Sequence, residues 1–252
     1  MKRIDLNCDL GEGGEHDAEL MALITSANIA CGGHAGDDES MRHTVQLARS
    51  HAVAIGAHPG FKDREHFGRR ELPVSPDEAF ALVAEQIESL RQIAAMHGAK
   101  LAHVKPHGAL YNQAARDPAL ADAIARAVVA IDARIALFGP AGSHLIKAGN
   151  RHGLKVVSEV FADRNYRSDY TLVPRDDPRA LITDGAVAVR HILAMVSEGV
   201  IITVEGNRLP VVADTVCVHG ETPAAMTILQ GLHRSLTQAG IEIARADTGD
   251  HP

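Results

Sequence analysis

The chain has 252 residues, 46% of them hydrophobic, and a formal net charge of -7. A nucleic-acid protein needs a basic face, which this balance argues against, and no apolar run reaches the ~18 residues of a membrane-spanning helix. Tryptophan is absent and aromatic residues make up only 3%, so the core is expected to be Ala, Val, Ile and Leu, the filling of a parallel sheet covered by helices on both faces.

Strand-like and helix-like segments alternate from the start. Met1-Lys2-Arg3 leads straight into a strand expected over 3–8, without the apolar stretch of a signal peptide. A glycine-rich loop and a short helix near 17–24 follow, then a strand over 27–31 and a helix over 39–51 that Asp37 or Asp38 is placed to cap. The third strand, 53–57, opens into a long charged loop, 59–73. Ser75-Pro76-Asp77-Glu78 carries a cap, a first-turn proline and an acid three residues on, which predicts a helix running to about 97. Further strands are expected at 101–105, 134–138 and 155–160, with helices over 118–131 and 143–152. A polar loop, 161–178, and a helix over 184–198 come next. Segments 200–204 and 209–213 flank Glu205-Gly206-Asn207-Arg208 and read as a hairpin. The seventh strand, 215–219, and a last helix, 223–239, complete the pattern.

Seven βα units and one hairpin, with no linker or composition shift, predict one domain over 1–252. Polar residues follow nearly every strand, which favours a barrel with one catalytic rim over an open sheet with one switch point. Cys8, Cys31 and Cys217 are odd in number and lie in strand-like runs, which points to buried, reduced thiols and a cytoplasmic protein.

Asp5, Asn7 and Asp9 alternate with Ile4, Leu6 and Cys8, so all three face the interior or rim, where a carboxylate needs a partner or a task. Glu12 follows on the glycine loop. His34, His58, His107 and His219 stand after strands two, three, four and seven, positions suited to proton transfer or metal binding. There is no HExxH or paired-cysteine spacing; a looser divalent-ion site has Asp9, His34 and His58 as its candidates. Lys105 ends an apolar strand and reads as an anion clamp, as a proton donor of lowered pKa, or as the internal partner of Asp5 or Asp9. Asp163-Arg164 follows strand six directly, and Arg69, Arg70 and Arg175 lie in loops able to cover the rim and grip an anion. Neither GxxxxGK[ST] nor GxGxxG occurs, although 139–143 opens a helix as an anion-binding turn does.

The segments Asp5-Leu6-Asn7-Cys8-Asp9-Leu10-Gly11-Glu12, Ser26 through Asp37, Gly56-Ala57-His58-Pro59, His103 through Asn112, Phe161-Ala162-Asp163-Arg164 and Leu172-Val173-Pro174-Arg175 resemble the LamB/YcsF family in order along nearly the whole chain. Three features depart from its pattern: Gly33 in place of an aromatic residue, Tyr170 where glycine is common, and a short loop after Glu12. The resemblance implies a seven-stranded (β/α) barrel akin to glycoside hydrolases and deacetylases. It also implies conversion of 5-oxo-L-proline to L-glutamate, coupled to ATP hydrolysis with Mg2+, alongside B and C subunits. On this reading Asp9, Glu12, His58, Lys105 and His107 are expected to carry the chemistry. Asn7, His34, Asp163, Arg164 and His219 are expected to hold substrate or phosphate. The alternatives are a metal-dependent deacetylase or amidohydrolase acting without ATP, and a non-catalytic subunit that binds a small acid.

Overall fold

The computed structural model describes residues 2–247. Its strands are β1 (Arg3–Leu10), β2 (Ser26–Ala30), β3 (Ala54–His58), β4 (His103–Val104), β5 (Ala136–Pro140), β6 (Val156–Phe161), β7 (Val200–Ile202), β8 (Arg208–Pro210), β9 (Thr215–His219) and β10 (Glu242–Ile243). β1 to β6 pair in sequence order, all parallel, and β9 pairs with both β6 and β1. Among the described residues the sheet therefore closes into the expected seven-stranded barrel, and β7 and β8 form the expected antiparallel hairpin. β10 is an addition: it pairs with Arg3 and Ile4 before β9 takes over at Asp5, and two residues are too few for alternation to show.

The helices are α1 (Asp17–Met21), α2 (Asp38–Ser50), α3 (Pro76–Met96), α4 (Gly108–Arg116), α5 (Pro118–Asp132), α6 (His144–Arg151), α7 (Gly185–Leu193) and α8 (Ala225–Gln238). The start signals act as their chemistry predicts. Asp37 accepts from the Ser40 amide at 2.8 Å while the Ser40 hydroxyl accepts from the Asp37 amide, and Ser75 and Glu78 exchange the same pair of bonds. α4 is an addition, lying between the strand expected at 101–105 and the helix expected over 118–131. Gly108 sits at φ +53°, and a Cβ there would lie 2.6 Å from the Gly68 carbonyl, so the Pro106-His107-Gly108 turn feeds a helix tucked beneath the 59–73 loop. The expected helix over 184–198 winds as α for its first half and as a π turn over Ala194–Glu198, which Gly199 ends at φ +70°. No helix among the described residues is long and apolar enough to cross a membrane.

Alternation along β1 divides the molecule. Ile4, Leu6, Cys8 and Leu10 join the apolar core shared with the helices. Asp5, Asn7 and Asp9 point the other way and meet Ser26, Asn28, His103, Lys105, Glu159 and Thr215, none more than 5% exposed. Barrels of this kind usually fill with branched apolar side chains. This one is filled with polar groups, so its interior holds only if those groups satisfy one another.

Candidate active site

They do so in tiers, except for His103 Nδ1, which is buried without a partner among the described residues. At the floor, Asp5 accepts from Thr25, Ser26 and Thr215 hydroxyls, the first two at 2.7 and 2.6 Å, and burial raises its pKa. Above it, the Asn7 amide donates to Glu159 at 2.9 Å and to Thr215 at 2.8 Å. Asn28 donates to Asn7 at 2.7 Å and to Asp9 at 2.8 Å, and accepts from His103 Nε2 at 2.8 Å. Tyr111, from α4, donates to the second oxygen of Glu159.

Lys105 crowns this stack. Its Nζ lies 2.9 Å from Asp9 Oδ1, 2.9 Å from Glu159 Oε1, 3.2 Å from Asn7 Oδ1 and 3.0 Å from Cys217 Sγ. Burial pushes its pKa down, but the Asp9 and Glu159 carboxylates outweigh that and hold it well above the ordinary lysine value. This corrects one expectation and resolves another in favour of Asp9. Lys105 is a permanently charged ammonium rather than a donor of lowered pKa, and its partners are Asp9 and Glu159 rather than Asp5. Asn7 is also placed differently from a ligand contact. It is fully buried, and its amide is spent on Glu159, Thr215, Asn28 and Lys105, so it supports the site from below.

A cavity of about 950 Å³ opens over the C-terminal strand ends, with Asp9, His58, Lys105, His107, Arg164 and His219 on its wall. Six of the expected residues thus share one pocket. Glu12 and His34 lie behind it. Glu12 Oε1 is 2.8 Å from His34 Nε2, and the His34 ring stacks on His107 with centroids 3.6 Å apart. Burial and the Asp9 charge raise the Glu12 pKa well above normal, whereas burial and the neighbouring His58 drop His34 to about 2. One ligand-type atom from each of Glu12, His34, His58 and His107 lies within 4.8 Å of every other. Of the expected metal candidates His34 and His58 belong to this group, while Asp9 falls in a second one with Cys217 and His219.

Asp163 is buried and does not face the cavity. Both its oxygens accept from His219 Nδ1 at 2.9 Å and one accepts from Thr222 at 2.7 Å. Although burial opposes ionisation, the neighbouring His219 and the hydrogen bonds from it and from Thr222 keep the Asp163 pKa below normal. A carboxylate on Nδ1–H fixes the tautomer, leaving His219 Nε2 as the ring's acceptor.

Arg164 donates to the Val173 carbonyl at 2.6 Å, and its Nε has no partner among the described residues. Burial and the nearby Arg175 lower its pKa to about 10. Arg69 and Arg175 both reach Glu221 at the mouth, the latter at 3.2 Å. Glu71, Asp169 and Asp176 also line the cavity, but with Lys105, Arg116 and Lys147 beside the three guanidinium groups its basic side chains outnumber its acidic ones. Arg70 instead points to Asp63, outside the pocket. The turn after β5 does line the cavity at Pro140, Ala141, Gly142 and Ser143, where Ser143 caps α6.

Asn28, His103, Tyr111 and Glu159 are the supporting residues that motif reading passes over. Their signal was present as polar side chains inside otherwise apolar runs. Two departures noted in the sequence have physical counterparts. A Cβ at Gly33 would lie 2.5 Å from Gln86 Oε1 and 2.6 Å from the Gly60 carbonyl, so Gln86 occupies the space that a side chain at 33 needs. Tyr170 adopts φ +69°, the left-handed region that favours glycine and costs a bulky residue about 1–2 kcal/mol. Its ring lines the cavity and its hydroxyl donates to the Pro210 carbonyl at 3.2 Å.

A family model described as the LamB/YcsF family matches residues 4–250. The chain is 48% identical over 249 residues to the A subunit of 5-oxoprolinase from Brevibacillus brevis, covering 97% of this chain and 98% of the relative. It is 50% identical over 248 residues to the protein of the same name from Bacillus subtilis, 96% of each. Among solved structures, the lactam utilization protein from Thermus thermophilus superposes with a TM-score of 0.89 at 42% identity, covering 96% of this chain and 99% of that one. The catalytic domain of a peptidoglycan N-acetylglucosamine deacetylase from Eubacterium rectale shares the fold alone, with a TM-score of 0.54 at 9% identity over 99% of this chain and 90% of that one.

Proposed function

The chain belongs to the LamB/YcsF family, and on that premise we propose that it is the A subunit of a 5-oxoprolinase. In this role it opens the lactam of 5-oxo-L-proline to L-glutamate, coupled to ATP hydrolysis and working with B and C subunits in the cytoplasm. The observation that carries the proposal is near-50% identity to proteins of that name over almost the whole chain. The pocket supports it chemically. The substrate is an anion, and the arginine-rich entrance formed by Arg69, Arg164 and Arg175 suits its carboxylate or a phosphoryl group.

A five-membered lactam is a stable amide, so its carbonyl must be activated before water attacks. Phosphorylation of the lactam oxygen, at the expense of ATP with Mg2+, makes the carbon electrophilic and supplies a leaving group. Arg164 and Lys105 are the cations beside that developing charge. Asp9 is held ionised: burial opposes this, but His58 and Lys105 keep its pKa well below normal, so it orients water better than it deprotonates it. His219, with Asp163 behind it and Nε2 as acceptor, is the proton acceptor. His58 and His107 complete the wall over Glu12 and His34.

ATP-dependent 5-oxoproline turnover, measured with this chain alone and with the B and C subunits, tests the reading. Turnover only with ATP and partners is expected. ATP-independent hydrolysis of an amide by this chain alone would replace it with the amidohydrolase reading. Full activity of a complex whose Arg164 and His219 are both substituted would reduce the chain to a carrier.

Asp163→Asn should separate positioning from bulk. With the carboxylate gone, the His219 ring loses the acceptor that fixes its tautomer. Turnover with ATP and partner subunits is expected to fall roughly 10–100-fold, the usual cost of deleting an orienting partner, while thermal melting stays close to that of the wild type. Unchanged turnover would mean that Asp163 does not orient the ring, and a loss of activity matched by a loss of folded protein would mean that it serves only the fold.

A further inference from the structure

The lactam reading leaves one arrangement without a reason: four ligand-type side chains turned toward a common point behind the cavity wall. His58 Nε2 and His107 Nδ1 are 3.0 Å apart. Glu12 Oε1 lies 2.8 Å from His34 Nε2, 3.5 Å from His107 Nδ1 and 3.8 Å from His58 Nε2. Zinc–nitrogen bonds of about 2.0–2.1 Å in a tetrahedron place the ligand atoms roughly 3.4 Å from one another. The observed separations bracket that edge.

The tautomers sharpen the point. His58 Nδ1 lies 2.7 Å from the Lys105 carbonyl oxygen, and His107 Nε2 lies 2.8 Å from that of Phe67. A carbonyl oxygen only accepts, so both of those nitrogens carry hydrogen. In neutral rings the remaining nitrogens then aim bare lone pairs at each other across 3.0 Å. That contact is repulsive unless a positive centre lies between them. His34, stacked on His107 with planes 6° apart, is held in the same orientation, and its Nδ1 is buried without a partner among the described residues. The glycines of the covering loop lock the rings: a Cβ at Gly60 would sit 2.7 Å from His34 Nδ1, and one at Gly68 2.7 Å from His34 Cβ. Backbone carbonyls that orient imidazole nitrogens from behind are the usual outer partners of metal-bound histidines.

We propose that Glu12, His34, His58 and His107 bind one divalent transition-metal ion of the zinc class. Three imidazoles and one carboxylate suit such an ion better than magnesium or calcium, which prefer oxygen ligands. The inference concerns the same pocket but does not rest on the lactam reading. Metal content and spectrum are read on this chain alone, without lactam, nucleotide or partner subunits, so the two fail separately.

The test is to strip untagged protein with chelator, reload it with Zn(II) or Co(II), remove free ion and measure metal per chain and visible absorption. One ion per chain and the intense bands of four-coordinate Co(II) are expected. Glu12→Gln and His34→Ala should each lower retained metal roughly tenfold or more, with the far-UV circular dichroism unchanged. Glu12→Gln is nearly isosteric, so folding does not confound it. His219→Ala should keep the metal, because its group with Asp9 and Cys217 is the competing site. Folded wild-type protein that retains neither ion would overturn the proposal and leave a shared proton between His58 and His107 as the positive centre. Metal unaffected by the Glu12 and His34 changes, or lost with His219→Ala, would overturn it equally.

Discussion

Lys105→Met is expected to cost about 3–5 kcal/mol of stability, the scale of removing one partner from a buried charge pair. The reason is the number of groups that depend on this ammonium. Asp9 and Glu159 each lie 2.9 Å from Nζ, and both are nearly inaccessible to solvent. Methionine fits the space but leaves two carboxylates facing each other, with the neutral Asn7, Asn28 and Tyr111 as the donors beneath them. The folded fraction should also lose turnover, by ~2–4 kcal/mol of transition-state stabilisation, because the cation beside the reacting centre is gone and Asp9 loses a charge that keeps it ionised. Thermal melting and ATP-coupled kinetics with partner subunits, on one preparation, read both effects. A variant that melts like wild type would refute the structural role. An unstable variant whose folded fraction turns over normally would make Lys105 a counterion and nothing more.

That dual role was only half legible in the sequence. A lysine at the end of His103-Val104-Lys105 marks a strand terminus, and so do His34, His58, His107 and His219. Apolar alternation before each of them was enough to place them on one rim. The partners behind them were not accessible in the same way. Asn7 and Glu159 are 152 residues apart, and they meet only because β9 closes the sheet between β1 and β6. Glu159 and His103 were polar residues set within mainly apolar strands, a pattern that reads as a fault until the interior is known to be polar. α4 was hidden for a local reason: proline and glycine around His107 signal a turn, and the helix that follows depends on the loop carbonyl of Gly68 packing against Gly108. Asp163 shows the opposite error. Its place after strand six suggested a ligand contact, but the side chain turns back to hold His219.

The polar interior also sets how the fold responds to acid. His103 is fully buried, stacked on Phe138 and bonded to Asn28, and burial with the nearby Lys105 charge drops its pKa to about 3. His191 is pushed down to about 4 by burial, and its Nε2 has no partner among the described residues. Both are neutral in the folded state and titrate near 6.5 when unfolded, so between about pH 6.5 and 4 the unfolded chain binds more protons. Stability is therefore complete above about pH 6.5 and falls as pH decreases through that window. At pH 5 each ring has cost about 2 kcal/mol, and the two together about 4 kcal/mol. Other buried groups add to the total, so the decisive quantity is a difference in slope. His103→Gln keeps an N–H for Asn28 but cannot titrate. Urea unfolding at pH 7, 6 and 5 should show its stability declining by about 1.4 kcal/mol less per pH unit, below pH 6, than that of the wild type. Its absolute stability will be lower, since glutamine does not fill the space that Gly56 leaves for the ring, where a Cβ would lie 2.0 Å from His103 Nε2. Parallel slopes for the two proteins would mean that His103 is already protonated, or solvated, in the folded state, and the account of its ring as buried and neutral would fall with it.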